Sequence, residues 1–188
     1  MSYAEDMERL MACAVTFEVP GRPKGKERPR FAGGCVYTPR ATRDYERLIG
    51  AYAKSAIRRE GLRESSPCAG SVTVCAIAYF PVPKSWPKKR REAARRGEER
   101  PTCKPDIDNI EKALLDGVNK IAYTDDCQVV DAHVAKWYEP ALTPKHPAGR
   151  LLVGIGIAGG TNGGRDKQEG PRGRVEDRGA EDSEGGEK

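Results

Sequence analysis

The chain has 188 residues, 37% of them hydrophobic, and a formal charge of +5 at pH 7. That length suits one domain with a real core, but a mean hydropathy of −0.70 requires part of the chain to lie outside it. No apolar run approaches the ~20 residues of a membrane span, which excludes a spanning helix.

Residues 1–12 read as a flexible leader, and residues 13–158 as the folded domain. Ala14–Val19 (AVTFEV) alternates apolar and polar residues and stops at Pro20, the pattern of a strand. Gly21–Thr38 is rich in Gly, Pro and basic residues and reads as loop or irregular hairpin. A helix is expected from a cap at Thr38 or Thr42 to about Arg58, because Tyr45, Leu48, Ile49, Tyr52, Ala56 and Ile57 recur at helical spacing. Gly61–Gly70 reads as a loop. Ser71–Phe80 (SVTVCAIAYF) is rich in β-branched and aromatic residues and reads as a strand ended by Pro81–Pro83. Trp86–Glu99 has the composition of a short basic helix, with Pro87 in its first turn.

Ile107, Ile110, Leu114, Val118 and Ile121 are spaced 3, 4, 4 and 3, which makes one apolar stripe on a helix. Thr124-Asp125-Asp126 is a turn. Gln128–Tyr138 and Arg150–Ile157 are two further strands. Residues 159–188 are Gly-rich, with six basic and eight acidic residues. Such a segment buries too little to offset its ordering entropy and is expected to be disordered. The order of elements predicts an α/β fold: a single domain with a mixed β-sheet of about four strands, packed by two main helices.

Removing that tail leaves 27 basic and 20 acidic residues in 1–158, a balance that suits an anionic partner. Cys13, Cys35, Cys68, Cys75, Cys103 and Cys127 form no CxxC pair, and His133 and His146 stand at no zinc spacing from them. With no signal peptide in front of them, they read as free thiols of a cytoplasmic protein.

Four carboxylates, Asp106, Asp108, Asp125 and Asp126, fall within twenty-one residues. Each pair taken alone has an ordinary structural reading: a helix cap, and a turn. Together they suggest a Mg²⁺ site, since that ion takes oxygen ligands, keeps several waters and activates one of them. A helix of about fourteen residues spans ~20 Å, so one straight helix would hold the pairs apart. They converge only if a strand returns alongside the first pair, or if they meet across a dimer. Lys112 follows Asp108 by one helical turn, where it could contact a phosphate or stabilise a leaving oxygen.

Two basic segments flank this constellation. One contains Lys24, Lys26, Arg28 and Arg30, and the other Lys88, Lys89, Arg90, Arg91 and Lys104. Such clusters neutralise backbone phosphates without reading sequence. Phe31, Tyr37 and Trp86 lie among them, either as ordinary packing or as rings that stack on bases.

Lys104–Asp116 (KPDIDNIEKALLD) followed by Tyr123–Asp131 (YTDDCQVVD) closely resembles the RusA-type Holliday junction resolvases. Val19–Phe31 and Tyr37–Glu46 resemble the N-terminal part of a branch of that family. The resemblance implies a homodimeric α/β nuclease that resolves four-way DNA junctions by paired nicks, with Mg²⁺ (or Mn²⁺ in its place) as the only cofactor. By position it implies Asp106, Asp108 and Asp126 as essential acids and Lys112 as a functional lysine. The basic insertion Pro83–Arg100 and the tail depart from the compact family pattern. A non-catalytic branched-DNA-binding protein, or a phosphodiesterase with a simpler DNA substrate, are the alternatives.

Overall fold

The computed structural model describes residues 2–62, 68, 70–140 and 148–158. The expected tail and parts of the Gly61–Gly70 loop lie outside the described residues. The elements in order are α1 (Tyr3–Met11), β1 (Val15–Pro20), the short strands β2 (Arg30–Ala32) and β3 (Cys35–Tyr37), and α2 (Arg40–Arg59). Then come β4 (Ser71–Phe80), α3 (Lys88–Arg95), α4 (Ile107–Val118), β5 (Val129–Tyr138) and β6 (Arg150–Ala158).

The main sheet has the order β1-β6-β4-β5. β6 is antiparallel to both β1 and β4, while β4 and β5 are parallel. A parallel pair needs a crossover, and α3 and α4 supply it. The mixed four-stranded sheet is therefore as expected.

Strand parity sorts the core. Val72, Val74, Ala76, Ala78 and Phe80 of β4 face α2 and α4 in the main core, with Ile49, Ala53, Ile110, Leu114 and Val118. Ile77 and Tyr79 face the other side, with Leu10, Ala135 and Trp137. The helices α2 and α4 approach each other backbone to backbone. A Cβ on Gly117 would stand 2.9 Å from Ile49 Cβ and 3.1 Å from the Glu46 carbonyl oxygen.

Residues 2–12, expected as a leader, form a capped helix. Ser2 caps α1, accepting from the Glu5 amide at 3.3 Å, while the Glu5 carboxylate accepts from the Ser2 amide at 2.7 Å. Asp6, only 2% exposed, accepts from His133 Nε2 at 2.7 Å and from Trp137 Nε1 at 2.8 Å. A buried carboxylate with both oxygens satisfied thus anchors α1 over the second face of the sheet. All six cysteines are free, and no described helix is long and apolar enough to cross a membrane.

Candidate active site

The segment before α4 is held through its backbone. Lys136, on the β5 face turned toward α4, donates to the carbonyls of Cys103 at 2.5 Å and Pro105 at 3.0 Å. The Arg22 guanidinium donates to the Lys104 carbonyl at 3.3 Å. The glycine-containing loop after β1 lies directly on this corner: the Lys26 amide donates to the Asn109 carbonyl at 2.8 Å. A Cβ on Gly25 would come within 2.8 Å of both Pro105 and Asn109 side chains, so only glycine permits the approach.

Asp106 occupies the N-cap position of α4 with extended backbone, yet its side chain makes no capping hydrogen bond. Asp108, in the first turn, is exposed and among the described residues accepts only from the Asn109 side-chain amide, at 3.1 Å. The cap reading of this pair therefore fails for Asp106, whose carboxylate has no hydrogen-bond or ion-pair partner among the described residues. Lys112 is exposed and forms no ion pair with Asp108 among the described residues. Asp106 lines a cleft of about 630 Å³ whose other walls include Arg22, Lys24, Arg28, Thr42, Lys104 and Asn109.

The far end of α4 is arranged differently. Asp125 caps a single 3-10 turn (Asp126–Gln128), accepting from the Cys127 amide at 3.1 Å. That hydrogen bond, helped by Lys120 at 3.8 Å, holds its carboxyl below the usual range. Gln128 pins the turn: its amide oxygen accepts from Thr124 and Asp125, and its amide nitrogen donates to the Cys68 and Gly70 carbonyls. Asp126 is exposed and borders the buried Tyr123 phenol, which burial first and Asp126 second push above its ordinary range.

Asp116, in the last turn of α4, is an acid where the helix dipole disfavours one. Lys26 bonds to it closely and also reaches Glu46 at 3.7 Å. Burial, more than these neighbours, raises the Glu46 carboxyl above its ordinary range. The sequence reading missed Asp116, Glu46, Gln128 and Lys136.

The two aspartate pairs do not meet within one chain. The twelve residues of α4 span about 18 Å. β5 runs back beside it, so that Lys136, near its end, meets the lead-in to Asp106. Asp125 and Asp126 precede the other end of that strand. Among the described residues no three His, Cys, Asp or Glu side chains group closely enough to hold a metal ion.

The paired motif on either side of α4 falls within a family-wide likeness. Residues 20–143 match the profile of the family described as Endodeoxyribonuclease RusA. The chain belongs to the RusA family of endodeoxyribonucleases. It is also 35% identical over 130 residues to "Uncharacterized protein YqaN" of Bacillus subtilis (strain 168), an alignment covering 66% of this chain and 87% of that relative.

In this RusA-family chain the basic residues singled out from sequence divide into engaged and free. Lys26 is held by Asp116 and Glu46. Arg30 pairs with Glu27, and Lys88 with Glu92. Arg90 grips Glu99 with two nitrogens and stacks 3.6 Å over Trp86. Arg91 is half-buried. Lys24, Arg28, Lys89 and Lys104 are exposed, with Lys24 5.9 Å over the Tyr45 ring. Trp86 packs edge-on against Tyr138 at 5.4 Å and, partly buried, against the main core.

Proposed function

We propose that the chain is a divalent-metal-dependent endonuclease that nicks branched DNA, four-way junctions foremost, as a homodimer. The observation that supports this reading best is the Asp106 carboxylate, which makes no capping hydrogen bond and lines a cleft with basic walls, with the exposed Asp108 two residues on in the first turn of the same helix. Family membership supplies the endodeoxyribonuclease activity.

The donor set fits a hard cation: exposed carboxylate oxygens, no thiolate or imidazole among them. Asp106 and Asp108 would hold the ion, and Mg²⁺ would bring Lewis acidity and charge neutralisation to phosphodiester hydrolysis. The rest falls to the chain's own groups. Lys24, Arg28 and Lys104 place the phosphate backbone in the cleft. Lys112, one turn beyond Asp108 and without an ion pair among the described residues, steadies the negative charge that gathers on the scissile phosphate. The attacking water bonds through its oxygen to phosphorus and gives up a proton to solvent, the bond from phosphorus to the leaving oxygen breaks, and that oxygen takes up a proton from solvent.

One copy supplies only half of the acidic set at each end of α4. A second copy completes it when Asp126 of one chain faces Asp106 and Asp108 of the other. A junction has approximate two-fold symmetry, and a C₂ dimer with two such composite sites matches it.

The test uses a four-way junction, a Y-fork and a linear duplex, each with and without Mg²⁺. Nicking of the junction alone in Mg²⁺ is expected, and Lys112→Ala should slow single-turnover nicking at saturating enzyme more than it weakens binding. Mixed dimers test the composite site. Asp108→Asn and Asp126→Asn copies are each inactive alone, but mixing them leaves one dimer site with both acids intact, so nicking of one strand returns. If the mixture stays as inactive as its components, each site is built within a single copy.

A further inference from the structure

The cleft loop leads into a structure that its chemistry does not use. β2 and β3 form a two-stranded ribbon in which all six residues are exposed. Gly33 (φ 60) and Gly34 (φ 80) close it in a two-residue turn that requires left-handed backbone at both positions, and nothing lies within 4 Å of either Cβ site. The ribbon therefore projects from the body with a narrow tip.

Phe31 and Val36 are directly opposed across the strands and so share one face. They are 73% and 71% exposed. Isolated exposed apolar residues are ordinary; a cross-strand apolar pair on a projecting ribbon is not isolated. Phe31 has no ring or cation partner among the described residues, in contrast to Trp86.

The ribbon's root is part of the cleft wall. Glu27, Arg28 and Thr42 line the cleft that Asp106 enters, and the Glu27 amide donates to Thr42 Oγ1 at 3.3 Å. From Glu27 to Arg47 the chain carries five arginines against three carboxylates. Arg30 pairs with Glu27, and Arg40 and Arg47 with Asp44, yet the segment keeps more arginines than carboxylates; an apolar point on such a net-positive segment suits a polyanion whose interior is apolar, which is a stack of bases. A two-stranded ribbon is narrow enough to enter a DNA groove, and apolar side chains that enter base steps unstack them.

We propose that this ribbon is a wedge that enters the base stack at the branch point of DNA lying in the Asp106 cleft, with Phe31 as the inserting side chain and Val36 as its support. The proposal rests on reading the chain as a branched-DNA nuclease. It adds a source of selectivity. Opening a step in linear duplex costs its stacking, whereas at a branch point stacking is already interrupted and the ring enters at little cost.

The full chain is tested in Ca²⁺, which suppresses cleavage, on a four-way junction with 2-aminopurine beside the branch point. Wild type should raise the fluorescence severalfold as the base unstacks. Phe31→Ala should abolish that rise and weaken junction binding about tenfold, or ~1.4 kcal/mol, with linear-duplex binding altered less than twofold. Phe31→Trp should restore both. If Phe31→Ala keeps the fluorescence rise and the junction preference while wild type nicks junctions in Mg²⁺, the wedge is overturned and the nuclease reading stands. If Phe31→Ala changes the sedimenting mass instead, the ribbon is a contact between copies and the wedge is overturned. If wild type neither prefers nor nicks branched DNA, the underlying reading fails and the wedge fails with it.

Discussion

At the N-terminal end of α4, Asp106 forms no side-chain cap and Asp108 accepts only from a neighbouring amide. At the C-terminal end, Asp116 is held by Lys26, and Asp125 by the Cys127 amide and Lys120. The residue type is the same and the helix is the same. What differs is whether the fold has already satisfied the charge. A carboxylate that the protein leaves unsatisfied beside a helix N-terminus and a basic cleft is available to an external cation. One that caps a turn or neutralises a lysine is part of the scaffold.

The largest test of that division exchanges the two kinds. Asp108→Asn should lower nicking by more than about a hundredfold, leave junction binding in Ca²⁺ largely intact and lower Tm only slightly, since the charge lost from the first turn of α4 contributes about 0.3–1 kcal/mol through the helix dipole. Asp125→Ala should do the reverse, lowering Tm while slowing nicking far less. Single-turnover rates and melting curves on both variants decide it. An Asp125→Ala protein with normal Tm and no nicking would place Asp125 among the metal ligands after all.

A smaller effect is expected at the satisfied end. Lys26→Ala leaves Asp116 unpaired against the helix dipole and should cost about 1–2 kcal/mol, given that the pair is about a third exposed. The sign with pH is fixed by Glu46. Its raised carboxyl means that the folded state holds the proton more tightly than the unfolded one. Its contribution is full below the ordinary 4.5 and is lost as pH rises through the raised value. Glu46→Gln should therefore gain Tm relative to wild type between pH 4 and pH 7. A relative loss over that range would show that the Lys26 contact outweighs burial.

The smallest effect extends the comparison to cations. In the basic insertion Lys88 and Arg90 are ion-paired, Arg91 is half-buried, and Lys89 is exposed with no partner among the described residues. Replacing all four by Ala should make the salt dependence of DNA binding shallower by about one unit, the ~0.9 expected of one phosphate contact. A change near four units would mean that the internal pairs open when DNA binds, and no change would turn this face away from DNA.

The sheet and its helices were legible in the sequence because period-two and period-3.6 apolar patterns map directly onto faces. Val15, Phe17 and Val19 are buried in alternation, and Ile110, Leu114 and Val118 form one buried stripe. α1 was not read, although Ser2 and Glu5 carry a capping-box spacing, because its anchor is Asp6, a residue that sequence reading assigns to solvent. The four aspartates were visible as a set, but not their division into engaged and free. That division depends on Lys120, Gln128 and Lys136, which act from outside the motif through turn geometry and a returning strand. Asp116 lay inside the motif and was passed over because a lone acid on a helix has no signature until its lysine is seen.

The two tryptophans of the chain occupy different additions to the sheet. Trp137 donates to Asp6 and meets the Tyr3 ring at 5.2 Å, both from α1, while Arg100 of the basic insertion lies 3.4 Å over its ring. Trp86 lies under Arg90 of α3, so its surroundings are set by the basic insertion. Trp86 thus reports on α3, and Trp137, whose indole N–H is held by Asp6, reports on α1 through the polarity at that N–H. With Trp86→Phe, a red shift in emission marks α1 lifting from the sheet, and with Trp137→Phe, a change in quenching marks the Arg90 stack opening. The two motions become separable in one cuvette without any label.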